Sequence, residues 1–150
     1  MIRIKARYGR LSPLFAWEDM RPVDQPMQIP RSTSIVIVED DVSLLSALAF
    51  ALEADGFLVH AYARAEPLLS APVHADCMVI DMRLPDLDGL TLIKRLRERG
   101  VRAPAILTTT SPTDRTRRWA ADMGVEIVEK PLITGELRGR IDALVAANFP

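Results

Sequence analysis

The stretch Ile35-Val36-Ile37-Val38-Glu39-Asp40-Asp41 decides the fold class of this chain. Four β-branched apolar residues in a row leave no polar face, so the run predicts a strand covered on both sides, as in a parallel sheet. Three acidic residues follow at once. Ser43–Asp55 then puts Leu45, Leu48, Ala49 and Leu52 on one helical face, and Gly56 stops that helix. The repeating unit is a buried strand, a polar turn and a helix.

The same unit recurs downstream. Phe57–Ala61 predicts a second strand, and Ala65–Ser70 a short helix before Pro72. Cys77–Ile80 is a third buried strand, ending at Asp81. Leu90–Arg99 is amphipathic, with Leu92, Ile93 and Leu96 inward, and Gly100 ends it. Ala105–Thr108 and Val125–Val128 predict the fourth and fifth strands, with a helix over Thr113–Met123 between them. Leu137, Ile141, Leu144 and Val145 mark a last helix. Five such units predict an α/β fold, a doubly wound five-stranded parallel sheet with helices on both faces. Ligands in such sheets bind beyond the carboxyl ends of the strands, where the strand order reverses.

Composition narrows the function classes. The chain has 150 residues, 49% hydrophobic and 26% charged, which suits one domain. With 19 basic and 20 acidic groups, it offers no overall charge that favours nucleic acid or an anionic membrane. No apolar stretch reaches the ~20 residues that span a bilayer. Cys77 is the single cysteine, so a disulfide framework within the chain is excluded and a cytoplasmic home is expected. Residues 1–33 differ from the rest. They hold four of the eleven prolines and six basic against three acidic groups, with no sustained periodicity. They are expected to be a disordered extension preceding a domain at 34–147, and Met27 is an alternative start of translation.

The strand ends concentrate the chemistry. The first strand ends in Glu39-Asp40-Asp41, the third in Asp81, the fourth in Thr108-Thr109-Thr110-Ser111 and the fifth in Glu129-Lys130-Pro131. Converging carboxylates repel one another, and a hard divalent cation relieves that repulsion. Mg²⁺ suits an all-oxygen set, whereas His60 and His74 lie on either side of a helix and do not form a zinc-like pair. A carboxylate beside Mg²⁺ can attack phosphorus and become an acyl phosphate, with Lys130 and Thr109 as the cation and hydroxyl that meet the phosphoryl charge. Each feature alone has a plain structural reading: a turn cap for Asp81, a helix N-terminus for the acidic triplet, strand propensity for the threonines, a surface lysine for Lys130. Their joint occurrence at four strand ends does not.

In these residues the chain resembles the receiver domain of bacterial response regulators. The resemblance runs over 34–147 through Ile35–Asp41, Asp81–Gly89, Pro104–Thr109 and Glu129–Pro131. It implies a flavodoxin-like (βα)5 fold with strand order 2-1-3-4-5. It implies Asp81 as phosphoacceptor, Thr109 as switch hydroxyl and Lys130 as its partner, with a cis Lys130–Pro131 bond. Mg²⁺ would be held by Asp40, Asp81 and the backbone carbonyl of Arg83, with Glu39 acting through water. Asp41 is expected to cap the first helix, and Pro85 and Gly89 to shape the loop after the third strand.

The implied partners are a sensor histidine kinase or histidine phosphotransfer protein, an unknown downstream protein, and a second copy through the face of the fourth helix, fifth strand and fifth helix. Trp119 with Arg115, Arg117 and Arg118 lies on that fourth helix, either as a half-buried side chain among solvated arginines or as a partner surface. Too few residues follow the last helix for a DNA reader, so the expectation is a stand-alone switch, not an enzyme, with neither DNA nor membrane as a partner. The alternatives are an aspartyl-phosphate phosphatase or phosphotransferase, against which Arg83 stands where a second acid would be needed, and a phosphate sink in a phosphorelay. Two positions depart from the family pattern. Ile127 replaces an aromatic three residues before the lysine, and Thr110 stands where a smaller residue is usual.

Overall fold

The computed structural model describes residues 31–148. The expectations for residues 1–30, Met27 among them, lie outside the described residues. Strands and helices alternate as β1 Ser34–Val38, α1 Val42–Ala54, β2 Leu58–Tyr62, α2 Glu66–Leu69, β3 Cys77–Asp81, α3 Gly89–Glu98, β4 Ala105–Thr109, α4 Asp114–Asp122, β5 Glu126–Glu129 and α5 Thr134–Asn148. The strands form one parallel sheet in the order β2-β1-β3-β4-β5.

Because side chains alternate across a strand, the apolar runs of β1, β3 and β4 divide between two cores. Val36, Val38, Met78, Ile80, Ala105 and Leu107 pack on one face with Leu68 of α2, Leu90, Ile93 and Leu96 of α3, and Ala120 of α4. Ile35, Ile37, Cys77, Val79 and Ile106 face the other side, against Leu45, Leu48 and Leu52 of α1 and Leu137 and Ile141 of α5. Each fully buried leucine or isoleucine contributes roughly 1.5–3 kcal/mol relative to exposure.

The helices begin and end on sequence-encoded signals. Asp41 caps α1 by accepting from the Leu44 amide at 3.1 Å, as expected. Asp88 caps α3 through the Thr91 amide at 2.8 Å, and Thr113 caps α4. Gly56 and Gly100 leave α1 and α3 at φ of 95° and 91°, a region that disfavours a side chain. Differences from the sequence reading are of one residue at element ends: α2 is Glu66–Leu69 rather than Ala65–Ser70, and β5 is Glu126–Glu129 rather than Val125–Val128, the Val125 amide going to the Ala120 carbonyl in closing α4. β2 starts at Leu58 rather than Phe57, because the Phe57 amide is taken by the Leu52 carbonyl in closing α1. β4 runs on to Thr109, which pairs with Glu129.

Candidate functional site

Parallel pairing brings the carboxyl ends of β1, β3, β4 and β5 to one edge of the sheet. From β1 the chain moves outward to β2, and then returns past β1 to β3, so the strand order reverses between β1 and β3. Glu39 and Asp40 follow the first of these strands and Asp81 ends the second. Val38 pairs with Ile80, which brings the two acidic ends level.

Glu39, Asp40 and Asp81 each offer a carboxylate oxygen, and these atoms lie within 4.8 Å of one another. Asp41 is outside this group, its carboxylate being used on α1. Among the described residues no other cluster of at least three carboxylate, imidazole or thiolate side chains meets this test. Glu39 is 2% exposed and Asp81 5%, whereas Asp40 faces solvent.

Lys130 closes the arrangement from the far side of the sheet. Its Nζ donates to Glu39 Oε2 at 2.9 Å and to Asp81 Oδ2 at 3.2 Å. Its amide donates to the Thr109 carbonyl at 2.8 Å, and the Lys130–Pro131 bond is cis. Burial is the largest influence on the Glu39 carboxyl, which is held above its ordinary range; the Lys130 bond and the Asp41 amide pull it down, and the charge of Asp81 adds to the rise. Burial acts downward on Lys130, but its bonds and proximity to Glu39 and Asp81 outweigh it and hold the ammonium above its ordinary value. The two directions agree physically, since one cation faces two carboxylates while Glu39 must share it. An all-oxygen donor set that one ammonium neutralises only in part fits a hard divalent cation.

Thr109, 6% exposed, ends β4 beside this cluster in the sheet order, and Thr110 beyond it is exposed. The loop after β3 folds back on Asp81. The Arg83 amide donates to Asp81 Oδ1 at 3.2 Å, and Gly89 donates to the Met82 carbonyl at 2.8 Å. Arg83 and Asp88 form an isolated antiparallel bridge. With the Gly89 bond alongside, this is a non-hydrogen-bonded pair, whose own backbone groups point away from each other. Gly89 is more than a loop former. A Cβ there would run into the Asp81 carbonyl and stand 2.9 Å from Leu107 Cδ1, so only glycine lets α3 start this close to the strand end.

Other sequence-marked residues lie elsewhere. Trp119 is half-buried and, like Met123 and Ile127, packs against the core; it borders an open recess with Arg115, Arg118 and Asp122. Ile127, level with Leu107, is core packing. His60 and His74 line one cavity with Tyr62 despite the intervening helix, but form no group of three potential ligands. Burial pushes the Cys77 thiol up to about 12, which leaves it inert at neutral pH. Sequence reasoning missed Asp86, whose carboxylate accepts from the amides of Ala65 and Glu66.

Comparison with known proteins agrees with this fold. A family model described as the response regulator receiver domain matches residues 35–142. The transcriptional regulatory protein BasR of Escherichia coli is 35% identical over 115 residues, covering 74% of this chain and 51% of BasR. The phosphate regulon transcriptional regulatory protein PhoB of Rhizobium meliloti is 35% identical over 122 residues, covering 77% and 53%. The chain thus spans about half the length of these curated relatives. Among solved structures, FixJ-N superposes with a TM-score of 0.69 at 28% identity, covering 77% of this chain and 95% of that one. A two-component response regulator from Clostridium difficile reaches 0.74 at 23% identity, covering 79% and 100%, a likeness of fold. The chain belongs to the receiver domains of two-component response regulators, signalling switches that are phosphorylated on an aspartate and bind Mg²⁺ at an acidic pocket.

Proposed function

We propose that Asp81 is the phosphoacceptor of this receiver and that the phosphorylated chain signals by changing its protein contacts rather than by turning over a small molecule. The observation that carries this reading is the Lys130 ammonium bonded to both Asp81 and Glu39 at the strand ends. A general surface lysine has no reason to reach two nearly dry carboxylates.

In this reading an Asp81 oxygen attacks the phosphorus of a phosphohistidine on a sensor kinase or phosphotransfer protein. The P–O bond forms as the P–N bond breaks, and the imidazole leaves with that electron pair. Asp40, Asp81 and the Arg83 carbonyl would hold Mg²⁺, with Glu39 beside them, and the cation would supply positive charge to neutralise carboxylate and phosphoryl oxygens. Lys130 remains protonated and follows the new charge. Thr109 supplies a hydroxyl from the neighbouring strand end. Arg83, an exposed base, stands where a phosphatase of this chemistry would need an acid, which favours a switch over an enzyme.

The readout is assigned to the face of α4, β5 and α5, in contact with a downstream protein or a second copy. The Trp119 recess and the Arg117–Glu129 ion pair, 2.7 Å long and one residue from Lys130, support that assignment. The domain is assigned to residues 34–147 and to the cytoplasm, where histidine kinases present phosphohistidine.

Incubating the chain with Mg²⁺ and acetyl phosphate tests the reading. The expected product is one phosphoryl group per chain by intact mass, lost in Asp81→Asn. Sustained release of phosphate over many turnovers would favour the enzyme instead.

A further inference from the structure

Asp86 is outside the acidic cluster, yet both of its oxygens are committed. Oδ1 accepts from the Ala65 amide at 3.0 Å and Oδ2 from the Glu66 amide at 2.8 Å. Those amides open α2, whose own N-cap position, Ala65, has no side chain to accept them. The Arg64 guanidinium stands 3.9 Å from Oδ2. A residue 20 to 21 positions distant therefore supplies the cap.

The segment that Asp86 anchors is the loop between β3 and α3, and this loop is fastened to Asp81 at both ends. Arg83 bonds to the Asp81 carboxylate at its start. At its close, Gly89 packs on the Asp81 carbonyl with no room for a Cβ. Between these points the Arg83–Asp88 bridge narrows the loop, and Asp86 is fixed to a different element of the fold. Asp86 thus ties the loop to the start of α2.

We propose that Asp86 is a positioning residue for the phosphoryl-transfer site. Its double bond to α2 holds residues 82–88 in the conformation that offers the Arg83 carbonyl to a cation at Glu39, Asp40 and Asp81. This rests on the Mg²⁺-dependent reading above. Asp86 touches neither cation nor phosphoryl group; it acts through the loop.

Mg²⁺ affinity measured by calorimetry on the full chain, with thermal stability alongside, tests this. Asp86→Ala loses both bonds and is expected to weaken Mg²⁺ binding about tenfold, the usual scale for an outer partner of a metal ligand. Asp86→Asn keeps one acceptor oxygen and is expected to fall between Ala and the parent. Thr113→Ala removes the cap of α4, far along the chain from this loop, and is expected to lower stability while leaving Mg²⁺ affinity unchanged. If Asp86→Ala binds Mg²⁺ as tightly as the parent, the proposal is overturned; if that variant does not fold, parent-like binding by Asp86→Asn overturns it equally. A parent chain that binds no Mg²⁺ would overturn the functional reading as well, which separates the two failures.

Discussion

Lys130 and Asp81, 49 positions apart in sequence, are joined by an Nζ to Oδ2 bond of 3.2 Å across the ends of β5 and β3. The same ammonium reaches Glu39. Lys130→Ala would leave buried carboxylates within 4.8 Å of one another with no cation among them. Metal-free protein is expected to lose about 3 kcal/mol of stability, the scale for removing one partner of a buried ion pair. Urea unfolding in chelator checks this, and saturating Mg²⁺ is expected to restore much of the loss by supplying the missing positive charge.

Two carboxylates give the metal-free fold opposite pH slopes. Amide bonds from Ala65, with a smaller contribution from Glu66, hold Asp86 below its ordinary 3.8. The stability it contributes is therefore present above that value and lost as pH falls through its folded pKa. Burial holds Glu39 above its ordinary 4.5. The folded chain then binds that proton more readily than the unfolded one, so stability falls as pH rises from 4.5 through the folded pKa. Urea midpoints in chelator across this range should show Glu39→Gln flattening the upper slope and Asp86→Asn the lower.

Gly89→Ala forces a methyl group into the Asp81 carbonyl and towards Leu107, both held in a packed sheet. The backbone must shift rather than a flexible side chain. A loss of about 2–4 kcal/mol is expected, together with slower phosphoryl uptake, because the atom displaced belongs to the proposed acceptor residue. Thermal unfolding and phosphorylation rate, measured on the same preparation, check both effects.

Thr110 is exposed immediately beyond Thr109 at the site edge. Its bulk is expected to hinder water approaching an acyl phosphate, so Thr110→Ala should shorten phosphoryl lifetime about threefold, a barrier change of about 0.7 kcal/mol. Decay of the phosphorylated mass with time gives the lifetime, and an unchanged value would remove Thr110 from the account.

The parts of this molecule legible in its sequence are those whose determinants are local. The apolar runs of β1, β3 and β4 announce strands buried on both faces, and all three are wholly buried. Asp41 and Gly56 mark the bounds of α1 by cap chemistry that acts within a few residues. The acidic ends and Lys130 were legible because parallel strands send every carboxyl end to one edge. Asp86 was not, since its partners are backbone amides on a different element and leave no mark in residue identity. β2, an edge strand with exposed Leu58, His60 and Ala61, was displaced by one residue. Its weak pattern could not show that the Phe57 amide serves α1. The distance between His60 and His74 along the chain likewise hid their shared cavity, which forms as the loop before β3 returns over β2.

Borohydride reduction of the phosphorylated chain, followed by peptide sequencing by mass spectrometry, tests the central claim most directly, because an aspartyl phosphate is converted to homoserine at its own position. Homoserine in place of Asp81, formed only when Mg²⁺ accompanied the phosphodonor, is the predicted result. Reduction at Asp40 or another carboxylate, or labelling at Asp81 that does not depend on Mg²⁺, would contradict the account.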